Sequence, residues 1–585
     1  MRSEGLSAII GRLTKLDTEL YVTIRLNAAP LRDLKNFFAI ALMAIIIGIY
    51  VLMVWKYAIN VPRMDDYIQF LGYHHFFPEN GSFFEKLTAL FSQPRWEHGP
   101  ESDHRIVVAR VAMLLSQALT GEMNFRVITF IGNAFFLLWF VWLWRVTPVS
   151  RNPAAMLPVV LLLFSFVHYE IAFWSSAALL YFPVTFFAFA ALALTVGKPG
   201  LFRTAGSLGS GIWAVCSQAN GLMVLPTVAC SFFARRKTRL ALLFSLIAAA
   251  SFLLYFYAYK RPGVIPRFPE PTQAVTLILS AWIRLLGASF DKQWDIAASL
   301  IGLGWAGLLW KRYWRVNPTL FWFGIWLFLT MGSIAVGRAS FGVESVMVSR
   351  YRFYSLLLIS ISYLALLELI GERSIRRYII AVALFLAFYL YAEESPKHLS
   401  LAANERVDVI HGANYYRIEG LGPFSYGGFP EATMANGLIR EMEGKGLYHM
   451  PDFSEHMSMK TPSGPDWKTS GRTLNATLLA LHGAGKTLSI KGYADLDGGR
   501  CDNIKTLVFL ANDADRHYYT TEALSRAKWR ESVFKPCLEF AAFIDVRSLS
   551  AGGYRIGVAR VHKDGSLTEY IAPPPIRFVK TIGQT

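Results

Sequence analysis

The segment FFAIALMAIIIGIYVLMVWKY, residues 37–57, carries a single charged side chain, that of Lys56. An α-helix needs about 20 apolar residues to cross the roughly 30 Å hydrocarbon layer of a bilayer. The segment therefore predicts a membrane-spanning helix. Ten more apolar segments predict further spans, at 125–144, 154–169, 177–197, 204–217, 219–233, 238–259, 295–310, 318–336, 353–370 and 378–392.

The composition agrees with a membrane protein. Of the 585 residues, 54% are hydrophobic and only 17% are charged, which excludes an ordinary soluble domain for the whole chain. We therefore predict a multi-pass α-helical membrane protein of about eleven spans. The net charge is +17, and nearly all of the excess lies in residues 1–392, with 35 Lys and Arg against 19 Asp and Glu. These cations are dispersed between apolar segments, which excludes the single basic face of a nucleic-acid-binding protein.

The loops between the spans differ in charge. Short cytoplasmic loops are enriched in Lys and Arg, so these residues predict which side of the membrane a loop faces. With the N-terminus inside, the predicted cytoplasmic loops contain one acid, Glu372, and fourteen cations: Arg145, Arg151, Lys198, Arg203, Arg235, Arg236, Lys237, Arg239, Lys311, Arg312, Arg315, Arg373, Arg376 and Arg377.

This bias holds only if two further apolar segments do not cross the membrane. They are 104–119, which contains Arg105 and Arg110, and 273–290, which contains Arg284. Both are predicted to be amphipathic helices on the outer surface.

The predicted topology divides the chain into four parts. Residues 1–36 form a cytoplasmic interfacial segment, and residues 37–392 form a transmembrane domain with a long external loop at 58–124. The odd number of spans places the rest of the chain outside. Residues 393–469 are predicted to be a helical linker, and residues 470–585 a β-sandwich.

The sequence of the C-terminal region supports this division. Residues 431–445 predict a helix. The later runs TLSIKGYADL, TLVFLAN, LEFAAFIDV and YRIGVARV are separated by Gly, Asp or Asn turns, which is typical of a small β-sandwich. Cys501 and Cys537 are the only cysteines of this region, and we expect them to form a disulfide if the region is extracytoplasmic.

Acidic and basic side chains gather in the loops assigned to the outer face. Asp65 and Asp66 follow the first span, Glu170 lies in the second outer loop, and Arg338 and Arg350 lie in the last one. Singly, the aspartates are explained as a solvated helix cap, the glutamate as an interfacial carboxylate and the arginines as headgroup contacts. Together they predict a site where Arg binds a lipid phosphate and a carboxylate deprotonates an acceptor hydroxyl. This is the chemistry of glycosyl transfer from a lipid-phosphate donor.

The order of these residues resembles that of GT-C type polytopic glycosyltransferases, in particular bacterial glucosyltransferase-like membrane proteins. The resemblance covers about residues 37–392. It rests on Asp65-Asp66 after the first span, Glu101-x-x-His104-Arg105 with Arg110, Ala219-Asn220-Gly221-Leu222 before Pro226, and Gly337-Arg338 followed by Ser349-Arg350-Tyr351. It implies a GT-C fold in the bacterial inner membrane, a periplasmic C-terminal domain, a polyprenyl-phosphate-linked sugar donor and a glycan or glycolipid acceptor.

The resemblance also implies roles for individual residues. One of Asp65 and Asp66 is implied to be the catalytic base, with Asp65 preferred and Asp66 as its neighbour in the site, and Glu170 is implied to be a further acid. Seven residues are implied to bind the substrates: His104, Arg105, Arg110, Asn220, Arg338, Arg350 and Tyr351.

Two further features are open at this point. Some members of the superfamily need a divalent metal ion and others do not, and His74, His75 and His98 lack an evident metal-ligand spacing. The region from about residue 470 resembles the carbohydrate-binding-like sandwiches of some of these enzymes. Its aromatic side chains either stack on sugars or pack in the core, and the candidates are Tyr493, Tyr519 and Trp529.

A transporter or flippase for a lipid-linked glycan is the alternative. Such a protein needs polar or charged residues at mid-membrane and two pseudo-equivalent halves. The predicted spans are nearly free of charge at their centres, and the two halves share no evident similarity. Transfer of another lipid-phosphate group, such as phosphoethanolamine, needs a Ser or Thr nucleophile with a metal cluster, which the sequence does not display. The sequence therefore favours a glycosyltransferase.

Overall fold

The structure is a computed structural model. This structure describes residues 34–580 except 94, 97–98, 101–103, 199, 261–265, 267, 269, 421–431, 459, 462–473, 485, 497–502, 513–515, 525–538, 548, 563–566 and 572–576. Several predictions fall outside the described residues. They concern residues 1–33 of the interfacial segment, the Cys501–Cys537 disulfide, His98, Trp529 and the side chain of Tyr493.

The described part of the chain before residue 460 is almost entirely helical. Its α-helices are α1 Leu34–Tyr57, α2 Gly72–His75, α3 Phe83–Phe91, α4 Val107–Thr120, α5 Phe125–Val146, α6 Pro153–Leu163, α7 Tyr169–Phe173, α8 Ser175–Leu194, α9 Leu201–Val215, α10 Val224–Ala234, α11 Thr238–Phe256, α12 Pro271–Gly287, α13 Trp294–Trp310, α14 Pro318–Arg338, α15 Ser349–Leu369, α16 Arg373–Glu419 and α17 Ala432–Gly444. A π-helical turn, Tyr67–Leu71, leads into α2. Two short strands, β1 Arg95–Trp96 and β2 Gly99–Pro100, pair antiparallel.

Within the described residues, nine helical segments are long and apolar enough to cross a membrane. The most enclosed is Pro153–Phe173, of which 94% is buried, whereas only 22% of Thr238–Phe256 is buried. A helix that is apolar on all sides and enclosed by protein belongs at the centre of a bundle, and an exposed apolar helix at its rim. The nine segments are α1, α5, Pro153–Phe173, α8, α11, Pro271–Phe290, Pro318–Phe341, α15 and α16.

The helix bundle has two distinct ends. We call the end that carries Asp65 and Asp66 the acid-pair end. At the opposite end the Glu368 carboxylate accepts hydrogen bonds from Thr147 at 2.9 Å and Asn317 at 3.1 Å. There too the Arg235 guanidinium donates to the Thr195 carbonyl at 2.7 Å. The connections at this opposite end, together with the helix turns next to them, contain the fourteen cations that the sequence assigned to one side of the membrane.

The segment predicted as a surface helix at 273–290 is helical in the structure, as α12. Length and composition alone would allow Pro271–Phe290 to cross a membrane, and its location on the outer surface stays a prediction. The Arg284 guanidinium, which argued against a span, forms an ion pair with Glu344 and lies 4.9 Å from the centre of the Trp294 ring. Just after α12, the backbone N–H of Ser289 donates to the Ser355 hydroxyl at 3.3 Å. This contact places the end of α12 near the start of α15, towards the acid-pair end.

The predicted spans 204–217 and 219–233 are short in the structure. Helix α9 has 15 residues, and a 3₁₀ turn, Ala219–Met223, runs into the 11 residues of α10. The chain between them turns tightly, because a Cβ atom on Gly221 would overlap the carbonyl of Ala214. The pair therefore forms a broken helical hairpin.

Helix α16 continues well beyond the last predicted span. It has 47 residues and runs through the predicted boundary at residue 392. At a rise of about 1.5 Å per residue it is about 70 Å long, more than twice the thickness of a hydrocarbon layer. Its second half therefore extends past the acid-pair end and connects the bundle to the C-terminal region. The predicted helix at 431–445 is present as α17.

The C-terminal region contains two antiparallel sheets, as its alternating sequence predicted. Their strands are β3 Lys460–Thr461, β4 Leu474–Ala484, β5 Thr487–Leu496, β6 Asn503–Ala511, β7 Arg516–Thr520, β8 Glu522–Leu524, β9 Glu539–Asp545, β10 Gly552–His562, β11 Leu567–Ile571 and β12 Arg577–Lys580. One sheet has the order β11-β10-β6-β7-β3, with β12 also pairing with β10, and the other has the order β4-β5-β9-β8. Buried residues of both sheets form one cluster, which includes Ile490, Val508, Phe540 and Ile556.

Contacts with α16 attach this region to the bundle. Lys491 in β5 forms an ion pair with Asp408. The backbone N–H of Lys486 donates to Glu419 at 2.8 Å. The buried ring of Tyr519 lies in the shared core of the two sheets, so packing accounts for this candidate aromatic residue.

Candidate functional site

The acid pair lies in a constrained connection between α1 and the π turn. Met64 has a backbone φ of 45°, a left-handed conformation that residues other than glycine rarely adopt. Asp65 follows it and is half-buried, and its carbonyl accepts from the N–H of Gln69 at 2.8 Å. Strained backbone and π turns are both enriched at functional sites. The local geometry therefore marks this connection as a candidate site.

Asp66 is bound tightly inside the protein. It is 1% exposed, and its Oδ2 accepts from the Ser175 hydroxyl at 2.7 Å and from the Arg63 N–H at 3.0 Å. Its Oδ1 accepts from both the N–H and the hydroxyl of Ser176. Burial raises the pKa of Asp66 to about 6, against the lowering effect of these bonds. Since both oxygens are occupied, Asp66 anchors the connection to the first turn of α8.

Glu170 and Arg350 bind each other at the same end. The Arg350 guanidinium lies 3.5 Å from Glu170 Oε2, and the Arg350 N–H donates to the same oxygen at 3.1 Å. The Ser349 hydroxyl donates to the Val167 carbonyl at 2.9 Å. These bonds join the start of α15 to the start of α7. Asp65 lies within electrostatic range of the same guanidinium.

A cluster of tyrosines lies beside Arg350. The ring of Tyr181 is 6.2 Å from that of Tyr351 and 5.8 Å from that of Tyr354. Arg338 and Arg350 both lie within electrostatic range of the Tyr181 hydroxyl. The site thus combines two guanidinium groups with phenolic hydroxyls, which are suited to the oxygens of a phosphate.

Asn220 joins the tyrosine cluster from the 3₁₀ turn. The side-chain nitrogen of Asn220 donates to the Tyr354 hydroxyl at 2.9 Å, and its backbone carbonyl accepts from the Trp326 indole N–H at 3.4 Å. Asn220 is 5% exposed, and its side-chain oxygen has no hydrogen-bond partner among the described residues. The tight turn at Gly221 sets this position.

The structure therefore brings most of the predicted site residues together. Asp65, Asp66, Glu170, Asn220, Arg338, Arg350 and Tyr351 lie at the acid-pair end on connected elements. The sequence did not single out Tyr181, Tyr354, Ser175 or Ser176. The two serines belong to the segment HYEIAFWSS after Glu170, but a hydroxyl that serves a buried carboxylate has no signature in one sequence.

The remaining predicted residues are in a second group. Arg105 donates to the backbone carbonyls of Phe91, Tyr255 and Tyr257 at 2.7, 2.8 and 2.7 Å. It therefore ties the end of α11 to the first loop of the acid-pair end, and His104 directly precedes it. Arg110 is 1% exposed and donates to the carbonyls that end α3. Both arginines hold the backbone together.

The candidate metal ligands are engaged with other side chains. His74 lies 2.9 Å from the Gln117 amide, and burial lowers its pKa to about 4. His75 lies 2.5 Å from Glu441. Within the described part of the chain, no group of three or more His, Cys, Asp or Glu is arranged to hold a metal ion.

Comparisons with known proteins found no match. No protein family, no curated protein and no solved structure matches this chain. The function is therefore argued from the site itself.

Proposed function

We propose that the protein is a membrane glycosyltransferase of the GT-C type. It moves a sugar from a polyprenyl-phosphate donor to a cell-envelope glycan or glycolipid on the periplasmic face of a bacterial inner membrane. One observation carries the proposal: the Arg350 guanidinium lies 3.5 Å from the Glu170 carboxylate and within electrostatic range of the half-buried Asp65, at one end of the helix bundle. A base and a phosphate-binding cation are the two groups that the reaction requires.

The charge distribution supports the periplasmic orientation. The fourteen cations lie in connections at the end opposite Asp65. Because Lys and Arg favour cytoplasmic loops, the acid-pair end faces the periplasm in this proposal. The periplasm contains no supply of ATP or nucleotide sugars, so an activated sugar reaches it attached to a lipid.

In the proposed mechanism Asp65 accepts the proton of an acceptor hydroxyl. The hydroxyl oxygen attacks the anomeric carbon as the bond from that carbon to the phosphate oxygen breaks. Polyprenyl phosphate leaves, and Arg350 with Arg338 stabilises the charge on its oxygens. Single displacement inverts the anomeric configuration. Asp66 is not the base, since both of its oxygens already accept hydrogen bonds.

Glu170 has a positioning role in this mechanism. It lies 3.5 Å from the Arg350 guanidinium and accepts from the Arg350 backbone. It therefore fixes the first turn of α15 and the direction of the guanidinium. A fixed cation stabilises a developing phosphate charge better than a mobile one, because no reorganisation accompanies the reaction.

The test uses purified full-length protein with four donors: polyprenyl-phosphate glucose, galactose, mannose and arabinose, each radiolabelled in the sugar. We expect one donor to lose its label to an envelope glycan fraction, and Asp65→Asn to abolish this transfer. Asp295→Asn is the matched control, since Asp295 is exposed in the first turn of α13. Unchanged transfer by Asp65→Asn contradicts the proposal. Movement of intact donor across vesicles without sugar release supports the flippase alternative.

A further inference from the structure

A cavity lies beside the π turn that follows the acid pair. It has a volume of about 360 Å³ and opens to the surface between the residues after Tyr67 and helix α3. Small-molecule sites have volumes of about 300–1,000 Å³. Ile68, which lines the cavity, is three residues beyond Asp65 on the π turn. The cavity is therefore close along the chain to the proposed base.

Arg110 forms the buried wall of this cavity. Its Nη1 donates to the carbonyls of Ala89 at 2.9 Å, Leu90 at 2.7 Å and Ser92 at 2.8 Å. Its guanidinium lies 4.7 Å from the centre of the Tyr73 ring. The Nε atom is buried and has no hydrogen-bond partner among the described residues. The guanidinium thus supplies a fixed positive charge at this wall, which attracts the oxygen atoms of a ligand in the cavity.

The other walls combine aromatic rings with hydrogen-bonding groups. Tyr73 and Phe76 supply rings on one side, and Glu85 and Thr88 of α3 lie on the other. Glu85 is bound through its Oε2, which accepts from the Ser82 N–H at 2.7 Å. The Thr88 hydroxyl donates to the Phe84 carbonyl at 2.8 Å, which leaves its oxygen free to accept.

This mixture of groups selects one ligand chemistry. A lipid tail would meet a carboxylate and a guanidinium, which it cannot satisfy. A phosphate would meet the negative Glu85 beside a single Arg110. A sugar ring presents an apolar C–H face to aromatic side chains and hydroxyls to a carboxylate, a guanidinium and a threonine. The walls therefore fit a sugar better than the other two ligands.

We propose that this cavity binds a sugar ring of the acceptor glycan, adjacent to the sugar whose hydroxyl Asp65 deprotonates. The inference rests on the proposed function, because it assigns the acceptor to one side of the same acid pair. Phosphate binding remains at Arg338 and Arg350, so donor and acceptor approach Asp65 from different sides.

Saccharide binding tests the proposal without transfer activity. Saturation-transfer difference NMR is recorded on full-length protein in a detergent that has no sugar headgroup. The probes are methyl α-D-glucopyranoside, methyl β-D-galactopyranoside and methyl α-D-mannopyranoside, with inorganic phosphate as the anionic probe. Phe76→Ala removes a ring from the cavity, and Thr88→Trp fills it. Phe84→Ala is the control, because Phe84 is 76% exposed on α3 and does not line the cavity.

We expect at least one saccharide to give a signal with the unaltered protein, with Asp65→Asn and with Phe84→Ala. The signal should fall at least tenfold in Phe76→Ala and in Thr88→Trp. No saccharide signal, a response to phosphate alone, or full signals in both cavity variants overturns the proposal. Binding that depends on Phe76, in a protein that transfers no sugar from any donor, retains the cavity as a sugar site and rejects the proposed function.

Discussion

Arg63 and Glu405 form an ion pair across 342 positions of the chain, with 2.5 Å between Nη2 and Oε2. The same carboxylate accepts from the Tyr169 hydroxyl at 2.7 Å. The Arg63 N–H donates to Asp66, and its carbonyl accepts from Trp174 at 3.2 Å. The second half of α16 thus holds the connection that carries the acid pair, although it lies beyond the last predicted span.

Glu405→Gln tests this positioning role. The amide can still accept from Tyr169, but the negative charge that pairs with the partly buried Arg63 is removed. Breaking a fully buried pair costs about 3–5 kcal/mol, and this pair is 12% and 17% exposed, so we expect a loss of about 2 kcal/mol. We expect kcat for sugar transfer to fall about tenfold while KM for the donor stays unchanged.

The matched control for this variant is Glu394→Gln. Glu394 lies on the same helix and pairs within one turn with Lys397 at 3.5 Å and with His398 at 3.6 Å. Lys397 is 35% exposed and stays hydrated when this charge is removed, so transfer and thermal stability should change less than in Glu405→Gln. We expect Glu405→Asp to recover part of kcat, because aspartate restores the negative charge on a side chain that is one methylene shorter. Equal effects of Glu405→Gln and Glu394→Gln would argue against a specific support.

The raised pKa of Asp66 predicts that the stability of the fold depends on pH. Burial raises its pKa to about 6 from 3.8, so between about pH 4 and 6 the folded protein keeps a proton that the unfolded chain releases. Stability from this group is therefore greatest below pH 4, falls as the pH rises to 6, and levels off above. The two-unit shift corresponds to about 3 kcal/mol. Thermal unfolding of unaltered protein and Asp66→Asn, compared from pH 4 to 7.5, measures it.

The comparison between the two proteins cancels the titration of other groups. The advantage of the unaltered protein over Asp66→Asn should shrink steadily between pH 4 and 6 and then stay constant. A difference that grows over this interval means that the hydrogen bonds from Ser175 and Ser176 outweigh desolvation and lower the pKa.

The variant Arg105→Met tests whether Arg105 has a structural role or binds the donor phosphate. Its three bonds to backbone carbonyls predict that Arg105→Met destabilises the fold by about 2–4 kcal/mol, since bonds to a charged group contribute about 1.5–3 kcal/mol each and the site is partly exposed. KM for the lipid donor should stay within about twofold. Lys86→Met, on neighbouring α3, should leave both quantities unchanged. A large rise in donor KM at full stability would restore the phosphate-binding role implied by the resemblance.

Much of the architecture could be predicted from the sequence. Apolar length predicts which segments are long enough to cross a bilayer, and Lys and Arg predict which connections share an end. Both signals are local. They therefore anticipated that Asp65, Glu170, Arg338 and Arg350 lie at one end of the bundle.

Other features depend on long-range contacts or on helix formation without apolar length. Hydropathy identifies only the apolar part of a helix. The last span was therefore predicted to end at residue 392, although α16 continues in polar sequence to Glu419. The short amphipathic α3 was missed for the same reason. No local pattern in one sequence pairs Arg63 with Glu405 or places Tyr181 beside Arg350.

Gly221 sets the position of Asn220 in the tyrosine cluster. A Cβ atom at Gly221 would overlap the Ala214 carbonyl, so Gly221→Ala must displace the 3₁₀ turn. We expect a loss of about 1–3 kcal/mol in stability and a loss of transfer activity, because the bond from Asn220 to Tyr354 shifts. Gly302→Ala in α13 is the control, since a Cβ atom there meets open space. Transfer activity and melting temperature are measured for both variants. Equal values for Gly221→Ala and Gly302→Ala would contradict the role assigned to Gly221.

Arg350→Lys tests whether geometry as well as charge is needed at the proposed phosphate. Lysine keeps the positive charge but cannot offer two parallel donors, and its stem is not fixed by the 3.5 Å approach to Glu170. Removing one preorganised donor from a developing charge lowers kcat about 10²–10³-fold, so we expect a loss of this order at unchanged melting temperature. Arg284→Lys, whose partner Glu344 lies outside the site, should keep full activity. Near-normal kcat in Arg350→Lys would show that a positive charge at position 350 suffices and that the two parallel donors of arginine are not required.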